Sequence, residues 1–569
     1  MSDVKPQLKN DYPERWLTPY DQDMTEQQVK HLSQVFTSID ARHFPASLPL
    51  HGIFKNDCRI REFKPGDIII RAGDYGGNAF YILEGDVCVV RKPGLPEKML
   101  GRKTIKKTNS LFALMQLFSS PIAEYRGKNK LDSSYMSASI ESVNLYDSPL
   151  AKSVFSGPLH PISQKPQLSD KYHFITLNPG IWLGEIAALA RVPRTATVFA
   201  ETTVKVVEIR WQGLRDIRIY ERSIREKIDA SYRNSMLNTI LAASPYFSHI
   251  KDNKKLKEIA QQAVFENHGD FEWSQSYKDA ENVGFGSSIE SVIAHEGDYA
   301  DCAFIVAGGF GRVSLRFGHG HRTLNYLKTG DVFGLQEIYK AWKDKANHTS
   351  PAFQTSLSTL GYLQVLRIPA KILQQHVFSH KNFVLKTNDE QLKDFSVAEN
   401  ALLEWAVEKR LINGTQVMLI DQERCVRCDE CVRACANGHE NNPRFIRHGK
   451  TFANWMVTNA CMHCSDPVCM IGCPTGAIHR IIDGTVVIND ESCIGCSNCA
   501  NACPYHNIRM VEIRDKRGQL ILDETTQEPR LKATKCDLCA SQPGGPACVR
   551  ACPHDALRRV DFQTNVSVS

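Results

Sequence analysis

Two rhythms of hydrophobic and polar positions divide this chain. Up to about residue 400, short runs rich in β-branched and aromatic residues, such as Asp67–Ile70 and Ala79–Leu83, alternate with turn triplets: PGD at 65–67, AGD at 72–74 and EGD at 84–86. Short strands bounded by such turns predict a β sandwich or jelly-roll barrel. The rhythm returns as HEGD at 295–298, AGG at 307–309 and TGD at 329–331. Gly73 and Gly297 mark equivalent turns about 225 residues apart, so the chain holds two copies of one unit. A helical pattern follows each copy, over Asp216–Ser244 and Asp389–Gly414, the second closing on a glycine behind basic residues.

With 569 residues and roughly 150 per domain, three or four domains are expected. We place an N-terminal helical segment at 1–50, a first β domain at 51–235 with an insertion near 93–172, a second β domain at 236–388, a linker helix at 389–415 and a cysteine-rich domain at 416–569. The insertion carries GRKTIKK and SGPLHPISQKPQLSD. Its lysines read as a solvated loop, with a docking segment as the sharper alternative. A composition of 42% hydrophobic and 23% charged residues suits ordinary soluble cores. No apolar run reaches the ~18 residues of a membrane span. The opening MSDVKPQLKNDYPERW shows neither a secretory stretch nor a twin-arginine pair, so a cytoplasmic location is expected, with peripheral docking on a membrane complex left open.

Chemistry enters with the cysteines. Of 19, only Cys58, Cys88 and Cys302 precede residue 425. The rest form four runs: Cys425, Cys428, Cys431, Cys435; Cys461, Cys464, Cys469, Cys473; Cys493, Cys496, Cys499, Cys503; and Cys536, Cys539, Cys548, Cys552. Pro474, Pro504 and Pro553 follow the last cysteine of the second, third and fourth. Three thiolates on a tight loop reach three corners of a cubane, and the distal cysteine commonly ligates the other cluster of a pair. Zinc sites use separated CxxC pairs, often with histidine, which this pattern does not match. Four 4Fe–4S clusters are therefore expected, with His439, His463, His479, His506 and His554 as surface residues or residues behind the ligands. The formal charge of +6 suggests nucleic acid, but four clusters with their thiolates add about −8 and bring the loaded chain to about −2. No nucleic-acid partner is expected.

The stretches MLIDQERCVRCDECVRAC, NACMHCSDPVCMIGCPTGAI, ESCIGCSNCANACPYHNI and KCDLCASQPGGPACVRACPHDAL resemble the four-cluster iron–sulfur subunits of molybdopterin oxidoreductases and hydrogenases, over about residues 416–562. The resemblance implies an α+β ferredoxin-like domain with two pseudo-symmetric halves. It also implies that the first run pairs with the fourth and the second with the third, each cluster taking three cysteines from one run and the last from its partner. Such subunits carry electrons between a catalytic subunit and a donor. The short SQPGGPA loop at 541–547 leaves little surface there for larger partner contacts.

In the first β domain, LNPGIWLGEIAALARVPRTATV spans Leu177–Val198. A helix opening at Gly-Glu offers free N–H groups to a phosphate. Arg194 can pair bidentately with phosphate oxygens, Glu185 can accept from a ribose hydroxyl, and Thr195 adds a hydroxyl. Together with FKPGDIIIRAGDYGGNAFYILEGDVCVV, this stretch resembles the cyclic nucleotide-binding domain. The resemblance implies contacts from Gly184, Glu185, Ala187, Arg194 and Thr195, with cAMP and cGMP both compatible with Thr195. In the second copy KTGDVFGLQEIYKAWKDKANHTSPAFQTS keeps Gly334 and Glu337 but no Pro-Arg follows, so it reads as a degenerate copy. The tandem order resembles the regulatory subunit of protein kinase A, although no RRxS-like inhibitor segment precedes the first copy.

The fold expected is thus multidomain: two β jelly-roll domains with flanking helices, then the ferredoxin-like domain. The function expected is a cyclic-nucleotide-regulated electron relay, as a subunit or partner of a larger oxidoreductase and without a substrate site of its own. The alternative is a sensor or scaffold in which the clusters report redox state; one cluster would suffice for that. A transcription regulator would need a helix-turn-helix after a barrel, and none is legible. In the coupling scheme expected here, nucleotide moves the first helix and re-seats the second copy, altering how the ferredoxin module docks.

Overall fold

The computed structural model describes residues 12–100, 174–228, 253–283, 290–344, 351–379 and 397–562, apart from short gaps within them, together with a few short pieces elsewhere. Two compact units emerge: residues 1–101 with 142–234, and residues 102–141 with 235–569.

In the first unit the turn rhythm becomes two four-stranded antiparallel sheets. One runs Cys58–Phe63, Val204–Arg210, Asn78–Glu84, Trp182–Leu183; the other runs Ile68–Ile70, Thr197–Ala200, Val87–Val90, Phe174–Leu177. Phe63, Phe80, Ile82, Val87, Val198 and Val206 fill the space between them. The turn glycines Gly66, Gly73 and Gly85 are all left-handed, with φ of 87°, 83° and 82°, which is why glycine recurs in the triplets. The helices Glu26–Val35, Leu50–Asp57 and Trp211–Tyr220 bury Leu32, Phe54 and Leu214 in one further core with Ile209 of the first sheet. Thr25 and Gln28 close the first of these helices with a reciprocal capping box.

One expectation changes here. The pattern over Asp216–Ser244 is not one helix: Trp211–Tyr220 ends at Glu221, an extended residue whose carboxylate accepts from Ser223 N and Oγ. Residues 229–240 of that pattern lie outside the described residues. Most of the 93–172 insertion lies outside them too, but Leu95, Met99, Leu100 and Leu145 are buried against Ile68, Val90 and Phe199. Those four belong to the core, whereas the lysines of GRKTIKK and SGPLHPISQKPQLSD lie outside the described residues. Within the N-terminal segment, residues 1–11 lie outside the described residues.

In the second unit the β domain is one six-stranded antiparallel sheet built on Cys302–Phe317 and Ser356–Pro369. Val264–Gly269 and Val292–Ala294 pair with the latter, Gly320–Leu327 and Val332–Phe333 with the former. Register shifts between Val306 and Gly308 and between Gly309 and Gly311 bend it. The cysteine-rich region forms a four-stranded sheet, ordered Ile446–Phe452, Trp455–Asn459, Val417–Asp421, Leu557–Val560, and two two-stranded ribbons, Ile478–Arg480 with Val486–Ile488 and Arg509–Glu512 with Leu531–Thr534. The helix Val397–Glu408 packs between these parts: Glu404 accepts from Arg312 and from Thr323 N, and Trp405 stacks on Phe452 at 5.4 Å.

Candidate cluster-binding and nucleotide-binding sites

All four cysteine runs make the same turn. The residue before the second cysteine is left-handed in each: Arg427 at φ 60°, His463 at 51°, Gly495 at 75° and Leu538 at 56°. Three of these carry side chains that disfavour this conformation by roughly 1–2 kcal/mol each, so the fold imposes it. A second left-handed residue stands three positions after the last cysteine where proline follows that cysteine: Gly476, His506 and Asp555, at 65°, 52° and 50°. That turn aims an N–H back at the sulfur, as Asn507 N does to Cys503 Sγ at 3.4 Å and Ala556 N to Cys552 Sγ at 3.3 Å. Arg444 N donates to Cys435 Sγ at 3.2 Å and Ala547 N to Cys539 Sγ at 3.4 Å.

Thiols of different runs face one another. Helix Glu430–Asn437 packs on Ala547–Arg550, and Val468–Ile471 on Asn498–Ala502. Burial raises the Cys464 and Cys469 thiols, and Cys461 and Cys503 push both further up. Burial likewise holds Cys499 at about 12, with Cys473 and Cys493 adding to it. Cys473, Cys493, Cys496 and Cys499 line one pocket. Burial also raises Cys435, against the Arg444 N–H, and Cys536, Cys539 and Cys548 raise it more. Cys425, Cys431 and Cys552 lie in one core with Cys435, Cys461, Cys536 and Cys548, around Met418 and Ile420, and Cys428 is exposed. Buried thiols facing one another resist ionising together. The donor set therefore fits a group that brings cationic charge, as an iron–sulfur core does.

Cations collect where the groups meet. Arg559 donates to Cys536 Sγ at 3.1 Å and to the Cys461 carbonyl at 3.4 Å. Lys535, 3% exposed, donates to the carbonyls of Val486 at 2.5 Å and Cys536 at 2.9 Å. Arg480 donates to the Cys464 carbonyl. His463 is fully buried; its Nδ1 accepts from Val486 N at 3.0 Å, so Nε2 carries the proton, and that N–H meets no acceptor among the described residues. Burial, then Lys535 and Arg559, holds its pKa well below the usual value, and the ring is neutral. His463 and His479 are thus buried, not surface residues. His439 sits between Asp537 Oδ1 at 2.9 Å and Cys435 Sγ at 3.7 Å.

The second β domain seats directly on this region. Trp273 Nε1 donates to Asp466 Oδ2 at 2.8 Å, between Cys464 and Cys469 in sequence. Asn413 holds the same loop, accepting from Asp466 N at 2.8 Å. Tyr505, two residues after Cys503, donates to the Arg410 carbonyl at 2.7 Å, and its ring lies 6.1 Å from that of Tyr277. Nothing in the local sequence signalled this junction.

In the first unit, Gly184 is the left-handed residue (φ 72°) before helix Glu185–Ala190. Glu185, Ala187 and Arg194 are buried, and Thr195 is exposed. Arg194 Nη1 donates to the Gly184 carbonyl at 2.5 Å; Nη2 donates to Asn78 O at 2.6 Å and Oδ1 at 2.8 Å. A side chain at Gly76 or Gly184 would collide with the guanidinium. Burial lowers Arg194 to about 10, against the fields of Asp74 and Glu185. Among the described residues no carboxylate lies within ion-pair distance of it. A buried cation satisfied only by carbonyls fits an anionic ligand such as a phosphate. Asn78 also donates to Glu208, which accepts from Tyr20 Oη at 2.7 Å and from Arg59 at 2.7 Å.

In the second β domain Gly334 (φ 81°) again precedes a helix, Leu335–Lys343. The residue after the glycine is buried Leu335, and Glu337 stands two places on, its carboxylate accepting from Gln354 N. Phe304, Phe333 and Phe353 pack together with centroids 5.1–6.4 Å apart, and a side chain at Gly334 would strike Phe353.

The 4Fe–4S dicluster domain matches residues 492–563. The electron transport protein HydN of Escherichia coli K12 is 35% identical over 159 residues, which are 25% of this chain and 87% of that protein. The B subunit of the anaerobic dimethyl sulfoxide reductase of Haemophilus influenzae is 37% identical over 164 residues, 25% of this chain and 70% of that subunit. The putative oxidoreductase AegA of E. coli K12 is 31% identical over 160 residues, and this chain spans only 22% of its length. The regulatory domain of Toxoplasma gondii PKA, solved with cAMP, is 14% identical over 62% of this chain and 94% of its own, with a TM-score of 0.20. At that score the likeness decides neither fold nor ligand. Among the described residues no helix is long and apolar enough to cross a membrane. By its cysteine-rich region, then, this chain belongs to the family of 4Fe–4S electron-transport proteins.

Proposed function

We propose that the chain relays electrons through four 4Fe–4S clusters, under the control of a cyclic nucleotide held by the first β domain. What supports the relay is that thiols of different runs face one another: Cys435 with Cys536, Cys539 and Cys548; Cys464 and Cys469 with Cys461 and Cys503; and Cys499 with Cys473 and Cys493. The groups also adjoin in a line. Cys431 feels Cys548, Arg559 spans Cys536 and Cys461, and Cys469 feels Cys499. Cys428 and Cys496 are the two exposed cysteines, and in this reading they belong to the first and last groups of that line. Bound clusters would supply one-electron steps; the chain's own part is to hold them in order, shield the inner pair and expose the ends to partners. Those partners are a redox protein or the catalytic subunit of an oxidoreductase.

Arg194 supplies the regulatory site, with Gly184, Glu185, Ala187 and Thr195 around it. A cyclic phosphate on its guanidinium would compensate the buried charge. The filled second domain would bind none and would pass the signal on through Trp273 and Tyr277.

The test is iron and sulfide analysis of the anaerobically purified chain, followed by an EPR-monitored redox titration with and without cAMP and cGMP. About sixteen irons per chain are expected, with midpoints or line shapes that shift with nucleotide. Identical titrations would leave partner docking as the only route of nucleotide control. A chain that binds no nucleotide would leave an unregulated relay, and far fewer irons would sink the relay itself.

A further inference from the structure

We propose that His463, Lys535 and Arg559 form a polar bridge between the two inner clusters and raise the reduction potentials of both. The inference rests on the four-cluster reading. The three side chains meet where the group of Cys435, Cys536, Cys539 and Cys548 adjoins that of Cys461, Cys464, Cys469 and Cys503. Arg559 touches a ligand sulfur of the first and a ligand carbonyl of the second. Lys535 precedes the ligand Cys536 and turns its ammonium back on that residue's carbonyl. His463 lies between the ligands Cys461 and Cys464.

Two independent observations say that these donors await an acceptor. Lys535 and Arg559 have carbonyls and one sulfur as partners, with no carboxylate at ion-pair distance among the described residues. A buried ammonium without a counter-charge costs several kcal/mol, and a reducible anionic cluster supplies that charge. The second is the pair of orphaned donors: His463 Nε2–H and Arg559 Nε–H are both buried and have no acceptor among the described residues. Buried donors are almost always satisfied, and the sulfurs of an inner cluster are the acceptors the place implies.

The effect on electron transfer follows from charge. Reduction takes a cluster and its four thiolates from about −2 to about −3. The electron leaves the neighbouring cluster in the same step, so charge balances along the line and no proton need move. Positive charge and N–H donors favour the more negative state, so they raise the midpoint. A raised inner pair holds the electron away from solvent until a partner docks at an exposed end.

The test compares the full wild-type chain with Arg559→Met. Iron content reads the four-cluster premise, and a dithionite titration followed by EPR reads the inference. With all irons retained, two of the four midpoints should fall in Arg559→Met, by a tenfold change in the oxidised-to-reduced ratio at fixed poise, about 59 mV. Four unchanged midpoints would overturn the proposal. Should Arg559→Met lose iron, Arg559→Gln decides, since it removes the charge and the guanidinium donors: two lowered midpoints in the loaded variant support the proposal, and four unchanged midpoints overturn it. A wild-type chain short of iron would sink the premise instead.

Discussion

Phe353 holds in the second β domain the place that Arg194 holds in the first. Arg194 accepts on its carbonyl from Gly73 N at 2.7 Å and donates its N–H to Asp74 O at 2.8 Å. Phe353 accepts from Gly297 N at 2.8 Å and donates to Asp298 O at 2.9 Å. The backbone frame is the same, and one side-chain exchange replaces a buried cation by a ring. A phosphate has a counter-charge in one domain and an apolar wall in the other, so one nucleotide per chain is expected.

Arg194→Ala should weaken cAMP binding by about tenfold to a hundredfold, the range of hydrogen bonds to a charged group. Calorimetric titration of the full chain measures it. An unchanged affinity would place the ligand elsewhere.

Phe353→Ala should open a cavity beside Phe304 and Phe333 and destabilise the second unit by about 3–5 kcal/mol. Urea denaturation reads the loss. Nucleotide stoichiometry should remain one per chain, and a second bound nucleotide would contradict the filled-site reading.

Trp273→Phe should remove one donor from Asp466 and cost about 1–3 kcal/mol locally. Hydrogen exchange at Asn413 and Asp466 should quicken, while that of the first unit stays as it was. Exchange that does not change would mean that the junction is held by its other contacts.

Cys435→Ser and Cys548→Ser should alter the same EPR signal, because these two thiols share a group although they belong to different runs. Cys428→Ser should alter another. If Cys435→Ser and Cys428→Ser instead matched each other, each run would hold its own cluster.

Glu208 gives the first unit an acid limb. Burial raises its pKa, but Arg59 and Arg61 more than offset that, and the folded value lies below the usual 4.5. A lowered folded pKa means stability that is fully present above the unfolded value and lost as pH falls through the folded one. Glu208→Gln should therefore flatten the decline in denaturation midpoint below about pH 4.5. An equally steep decline in the variant would assign the acid sensitivity to other carboxylates.

The sequence by itself determined whatever short-range chemistry decides. Cysteine spacing marked the iron–sulfur family, because ligands two or three residues apart must share a loop. Gly-Asp triplets marked the turns of the β domains, because only glycine takes φ near 85° without strain. The absence of an arginine after Gly334 marked the altered second copy. Tertiary structure alone decided the rest. It broke the helix expected over Asp216–Ser244 at Glu221 and sank Leu95, Met99, Leu100 and Leu145 into the first core. It forced Arg427, His463 and Leu538 left-handed, where no local signal asked for glycine. It brought Trp273 to Asp466 across 193 positions, and Arg559 to Cys461 across 98. Spacing and propensity act over a few residues, whereas those contacts arise only once strands and helices have packed and buried polar groups have found whatever partner the fold leaves within reach.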